Sequence, residues 1–221
     1  MNEIINIFEQ VNMGNGIIET IYMVLVASLI SYIFGLLFGI VSVITDKDGL
    51  LPNKIINKIL GLVINLGRSI PFIILMITLT PFTRFLVGIS YGTNATIVSL
   101  TIAAIPFVSR LIETSIKEVD KGVVESVQTM GANIYQIIFK VYLIESVPLL
   151  IRNFSLTAIT LIGYSAMAGA IGGSGVGSIA INYGYHRSDN QVMLMALIIL
   201  VIMVQIIQVL FDKLAKKIDK K

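Results

Sequence analysis

The chain has 221 residues, 56% hydrophobic and only 13% charged, where a soluble domain carries roughly 25% charged residues. One soluble core of this size could not hide that much apolar surface. The absence of cysteine excludes disulfides and thiolate metal sites. The net charge of +3 is no nucleic-acid signal, because its placement is explained by membrane topology.

The charges are segregated. None occurs from Thr20 to Thr45, from Asn153 to His186 with the histidine neutral, or from Asn190 to Phe211. Each stretch reaches the roughly 20 apolar residues that cross a bilayer as a helix. Five spans are predicted, at about 17–44, 59–81, 94–112, 147–170 and 190–211. The expected fold is an all-α integral membrane protein with a single transmembrane domain over 17–211. Residues 1–16 form a short segment before it and 212–221 a basic tail. The first sixteen residues carry Glu3 and Glu9 but no Lys or Arg, so the positive region of a cleavable signal peptide is not expected.

Arg68 interrupts the second span. A guanidinium at mid-bilayer costs on the order of 3 kcal/mol, so it either serves the protein's function or snorkels to the interface. Pro71 lies three residues on and frees the carbonyl of Gly67. The backbone near 67–71 is therefore expected to be irregular, and Arg68, Ser69 and Pro71 are candidates for a pathway or gate.

The loops sort by charge. Lys47, Lys54 and Lys58 fall in one loop; Arg110, Lys117, Lys121, Lys140 and Arg152 fall between the third and fourth spans; Lys213, Lys216, Lys217, Lys220 and Lys221 lie in the tail. Opposite them stand only Arg84 and Arg187. With Arg68 set aside, that is thirteen basic residues against two, which predicts an outside N-terminus and a cytoplasmic C-terminus.

The long cytoplasmic connection, about 113–146, carries Val123, Val127, Met130, Ile134, Ile137 and Val141 at helical spacing. Glu125, Gln128, Gln136 and Lys140 lie off that stripe. This is an amphipathic helix broken at Gly131, which either lies on the membrane surface or protrudes to a partner.

The run Gly169-Ala-Ile-Gly-Gly-Ser-Gly-Val-Gly-Ser178 places Gly172 and Gly177 at P-loop spacing. Ser178 stands where the loop's lysine is needed, and a membrane span precedes the run rather than a strand, so the phosphate reading fails. Five glycines in nine residues supply backbone for close approach. Irregular backbone at membrane depth is tolerated against protein or a water-filled cavity. The run is read as lining the outer mouth of a pathway, with Met167, Gly172, Gly173 and Gly175 as candidates. His186 is the only histidine and reads as a surface residue. No catalytic set, metal-ligand cluster or cofactor site is visible.

The cytoplasmic segment resembles the coupling-loop signature of bacterial importer permeases: Glu125-Ser126-Val127, then Gly131-Ala132, then Val141-Tyr142-Leu143-Ile144. Ser126 and Val127 replace two alanines of that signature and Ile144 its proline. Arg68-Ser-Ile-Pro-Phe-Ile-Ile-Leu75 with Pro81-Phe-Thr-Arg84, and Leu161-Ile-Gly-Tyr-Ser-Ala-Met167 with Tyr183-Gly-Tyr185, look like the methionine branch of that family. The resemblance implies a type I ABC importer transmembrane domain of five helices with a cytoplasmic coupling helix, multi-pass in a bacterial cell membrane. It implies a homodimer, two cytoplasmic ATP-binding subunits, an extracytoplasmic methionine-binding protein or lipoprotein, and methionine as cargo. The chain would then be no enzyme, would bind no cofactor or nucleic acid, and would meet the ATPase through Glu125, Ser126, Gly131 and Ala132, with Glu125 capping or pairing locally. The other readings are a permease for another hydrophobic amino acid or a small peptide, an ion-coupled secondary transporter or channel, and an intramembrane enzyme. An ion-coupled carrier needs intramembrane acids or histidines, and an enzyme needs a nucleophile or metal constellation. Neither is present.

Overall fold

The computed structural model describes residues 2–219, with side chains from Asn6 onward. Met1 and the tail residues Lys220 and Lys221 lie outside the described residues. Every regular element among those described is helical.

In chain order, α1 is Asn2–Gln10, α2 Met13–Ile44, α3 Lys54–Ser69, α4 Phe72–Val87 and α5 Thr93–Lys117. Then come α6 Lys121–Thr129, a short α7 Ile134–Ile137, a π-turn Ile138–Tyr142 and α8 Leu143–Ala168. A second short helix α9, Val176–Ile179, and a π-turn Ala180–Tyr185 lead to α10, Asn190–Ile218. Four helical stretches are long and apolar enough to cross a membrane: Met13–Ile44, Thr93–Lys117, Ile134–Ile171 and Asn190–Ile218. The pair α3 and α4 makes a fifth if it is counted as one broken span.

Three boundaries differ from the sequence reading. The span predicted at 59–81 is two helices, because the pyrrolidine of Pro71 pushes Ile70 out of the α region and ends α3 at Ser69. The connection predicted at 113–146 shrinks to 118–133. The chain re-enters helix at Asn133, whose side chain and Gln136 form a reciprocal capping box, and helix then continues through the π-turn at Ile138–Tyr142 and past Pro148. The last span, predicted to end at 211, continues as α10 to Ile218, and α1 and the start of α2 lie within 2–16.

The residues fall into two compact units. One comprises α1, α2 as far as Ile30, Ile70–Ala104 and Thr157–Gln208. Its core holds Met23, Val24, Leu100, Leu161 and Val192, and the Phe72 and Tyr164 rings stack at 4.7 Å. The other comprises Ser31–Ser69, Ile105–Leu156 and the end of α10. There Gly35 and Gly39 face α5 at a small-xxx-small spacing. A Cβ on Gly35 would stand 2.5 Å from Val108 Cγ1, and one on Gly39 2.7 Å from Ile112 Cγ2. Glycine is what lets the two backbones approach, the usual solution where lipid supplies no hydrophobic drive between helices.

Apolar side chains point outward as well as inward. Only 6% of the most apolar window of α10 is buried within the chain, an arrangement stable against lipid or a second subunit but not against water.

Candidate functional site

Three groups of candidate residues occupy three places. The glycine run is a packed corner rather than an open loop. A 3₁₀ turn, Gly169–Ile171, ends at Gly172, whose φ of 89° is left-handed. The chain then doubles back against α8: a Cβ on Gly173 would come within 2.7 Å of the Ala168 carbonyl oxygen. Gly175 also has φ 89°, and its missing side chain would collide with Thr20 Oγ1.

That corner is pinned to α2 by hydrogen bonds across 156 residues of sequence. The Gly175 amide donates to Glu19 Oε2 at 3.0 Å and the Val176 amide to Thr20 Oγ1 at 2.9 Å. Thr93 Oγ1 donates to the other oxygen of Glu19 at 3.4 Å. On the far side the Gly92 amide donates to the Gly172 carbonyl at 2.9 Å, and the Tyr91 ring covers Gly172. Glu19 and Thr20 were not singled out by sequence reasoning; the one available signal was a lone carboxylate at the edge of an apolar span. Gly173 and Gly175 are buried while Gly172 is exposed. Met167, on the last turn of α8, is 47% exposed.

Arg68 lies in the last turn of α3, where a cation is favoured by the helix C-terminus, and not in the middle of a continuous span. It is exposed and makes no hydrogen bond or ion pair among the described residues. Ser69 Oγ donates to the Asn65 carbonyl at 2.8 Å, and Pro71 sits extended at the N-cap of α4 with ψ 133°. These three residues mark the break and lie apart in sequence and element from the glycine corner.

The segment between the third and fourth spans forms a discrete helix with defined ends. Asp120 caps α6, its Oδ1 accepting from the Gly122 amide at 2.6 Å. Gly131 stops it with φ 82°, and Asn133 starts the next helix. Glu125 and Ser126 are exposed on α6, with Gly131 exposed and Ala132 half-buried beyond it. Ser126 Oγ donates back to the Gly122 carbonyl at 2.7 Å. Glu125, expected to cap or pair locally, makes no hydrogen bond or ion pair among the described residues; Asp120 and Asn133 do the capping, and the Glu125 carboxylate is left facing outward beside a cavity of about 380 Å³.

A chain of charges braces the base of that helix. Lys117 Nζ, at the end of α5, lies 2.6 Å from Asp46 Oδ2 and 2.9 Å from Glu113 Oε1. Arg110 Nη1 donates to the other oxygen of Glu113 at 2.9 Å. The hydrogen bond from Lys117 holds the Asp46 carboxyl below the usual carboxylate range. The loop after α2 is thereby tied to α5 three residues before the N-cap of α6. No group of three or more metal-ligating side chains occurs among the described residues.

The geometry is a set of membrane-length helices with one short capped helix, α6, between two of them, an arrangement of a transport protein rather than of a catalyst. Comparison with known proteins agrees. Residues 31–220 match the family model described as the binding-protein-dependent transport system inner membrane component. A probable D-methionine transport system permease protein, MetI of Vibrio cholerae, is 46% identical over 203 residues, covering 92% of this chain and 90% of that protein. The methionine import system permease protein MetP of Bacillus subtilis is 46% identical over 178 residues, 80% of each chain. A chain from an inward-facing MetNI methionine ABC transporter superposes with a TM-score of 0.93 at 38% identity, covering 94% of this chain and 96% of that one.

Proposed function

We propose that this chain, which belongs to the family of binding-protein-dependent transport system inner membrane components, is the permease subunit of an ATP-driven importer and passes methionine through the membrane. The observation that carries the reading is the joint agreement of sequence and fold with methionine transporters over nearly the whole chain. The chain is a type I ABC importer transmembrane subunit and not itself an enzyme; hydrolysis belongs to a separate ATP-binding subunit. Two permease copies form the pathway, because five helices are few to enclose an amino acid and a two-fold partner supplies the missing wall. Two ATPase subunits and an extracytoplasmic methionine-binding protein complete the assembly.

In this reading α6 is the coupling helix. Closure of the ATPase dimer reaches the spans through Glu125, Ser126, Gly131 and Ala132, and the Asp46–Lys117–Glu113 brace keeps the base of the helix from absorbing the motion. The glycine corner, with Gly172, Gly173 and Gly175 held by Glu19 and Thr20, sits at the outer mouth beside Met167. Arg68, Ser69 and Pro71 form the break in the second span that lines the pathway.

Two tests follow. Vesicles holding the chain with its ATPase and binding protein should accumulate methionine only when ATP is present, and the chain alone should accumulate none. Accumulation against a gradient without the ATPase would sink the proposal, and preferential competition by another hydrophobic amino acid or a small peptide would move the cargo assignment there. The basic-residue bias further places the N-terminus outside and the loop of Lys47 and the end of α10 inside. Because the chain has no native cysteine, a single Cys at Lys47 or Lys217 should resist impermeant thiol reagents in intact cells, and one at Arg187 should react. The reverse pattern would invert the topology.

A further inference from the structure

Within the unit that holds the glycine corner, a cavity of about 230 Å³ opens between α4, α5 and the corner. Met76, Ile77 and Ile171 supply apolar wall, the other five lining residues, Thr80, Thr83, Ser90, Tyr91 and Ser99, carry hydroxyls, and no charged side chain lines it. Most threonines in these helices donate to the carbonyl four residues back. On α4 itself Thr78 donates to Ile74 at 2.8 Å and Thr80 to Met76 at 3.3 Å. Thr83 does not. Its Oγ1 is buried without a partner although the residue is 2% exposed, so a donor is held ready at the cavity wall. A buried hydroxyl left unpaired is costly, and its retention calls for an occupant that accepts a hydrogen bond.

The lining restricts what that occupant is. Without counter-ions the cavity rejects a carboxylate or ammonium group. The volume lies below the roughly 300 Å³ of drug-sized sites, and since the uncharged lining keeps a charged head out, it takes a side chain. Met76, Ile77 and Ile171 favour an apolar chain, and Thr83 asks for a neutral acceptor within it. A thioether meets all three conditions, its sulfur being a weak acceptor.

We propose that this cavity is a subsite in the pathway for the cargo's thioether side chain, with Thr83 Oγ1 donating to the sulfur while the charged head stays in the mouth. This rests on the methionine reading above and names the residue that would enforce it within the membrane. Filling by ordered water, which needs two to four polar partners, is the competing occupant.

The test uses the complete ATP-driven complex in vesicles and the ratio of methionine to norleucine uptake, norleucine having a methylene in place of sulfur. Any preference set by the binding protein is common to all permease variants, so a change in the ratio belongs to this chain. Thr83→Val keeps the shape and removes the hydroxyl; it should lower the ratio by about threefold or more, as for loss of one modest hydrogen bond. Thr83→Ser should keep it. Thr83→Ala supplies the same readout if the valine variant fails to assemble. A ratio unchanged in an assembled variant lacking the hydroxyl, or an equal fall in both uptakes, assigns Thr83 to bound water or to structure and overturns the subsite. A wild-type complex that carries no methionine at all would instead remove the underlying functional reading, before any variant is compared.

Discussion

A Gly175→Val chain is expected to lose its folded state in the membrane, which would appear as loss of the monodisperse species after detergent extraction. Two costs add at this position. The φ of 89° strains any residue with a Cβ by roughly 1–2 kcal/mol, and more for a β-branched one. The new side chain would also strike Thr20 Oγ1, with Met23 Cε only 3.0 Å from the Cβ alone. Relieving that clash breaks the buried bond from the Val176 amide to Thr20, leaving a donor unsatisfied at about 1–3 kcal/mol. The sum, about 2–5 kcal/mol before the remaining steric clash with Met23, approaches the lower end of the stability of whole domains, about 5 kcal/mol. The control is Gly163→Ala, where nothing lies within 4 Å of the added Cβ and helix propensity gains roughly 0.5–1 kcal/mol; that variant should extract normally. A well-folded Gly175→Val protein would contradict the packed corner. Gly173 is no place for a bulky probe of the outer mouth either, because its Cβ would press on the Ala168 carbonyl.

At Gly131 the expected result is opposite in kind. Its φ is 82°, but nothing lies within 4 Å of the place a Cβ would take, so the cost of Gly131→Val is confined to the backbone of an exposed turn. The spans should insert and assemble as before, while the end of α6 and the entry to α7 lose their relative setting. With α6 as the coupling helix, uptake should fall by about tenfold, the equivalent of some 1.4 kcal/mol, at near-normal levels of assembled permease. Gly131→Asn should retain most activity, because asparagine tolerates the left-handed region better than valine. Uptake by Gly131→Val at the normal rate would reduce α6 to a surface helix without a role in coupling.

Composition and order alone determined that the chain is a membrane protein, roughly where its spans lie, and that one amphipathic segment broken at Gly131 connects two of them. Those properties are local sums over neighbouring residues: hydropathy over a span, charge over a loop, helical spacing over a few turns. The resemblance of Glu125 to Gly131 and of Arg68 to Leu75 is local in the same sense. What the sequence could not reveal depends on residues brought together from afar. The Glu19 and Thr20 bonds to Gly175 and Val176 join positions 156 apart, and Lys117 meets Asp46 across the loop after α2. Gly35 and Gly39 look like any glycines in an apolar helix until Val108 and Ile112 arrive against them. Pro71 reads in sequence as an irregularity and not as an end of helix, because a proline within a span can kink or stop it and only packing decides which. The glycine run is visible in sequence, but whether glycine serves freedom or closeness is not. Flexibility asks for the absence of neighbours, and only the folded chain shows that Gly173 and Gly175 have them where a side chain would go.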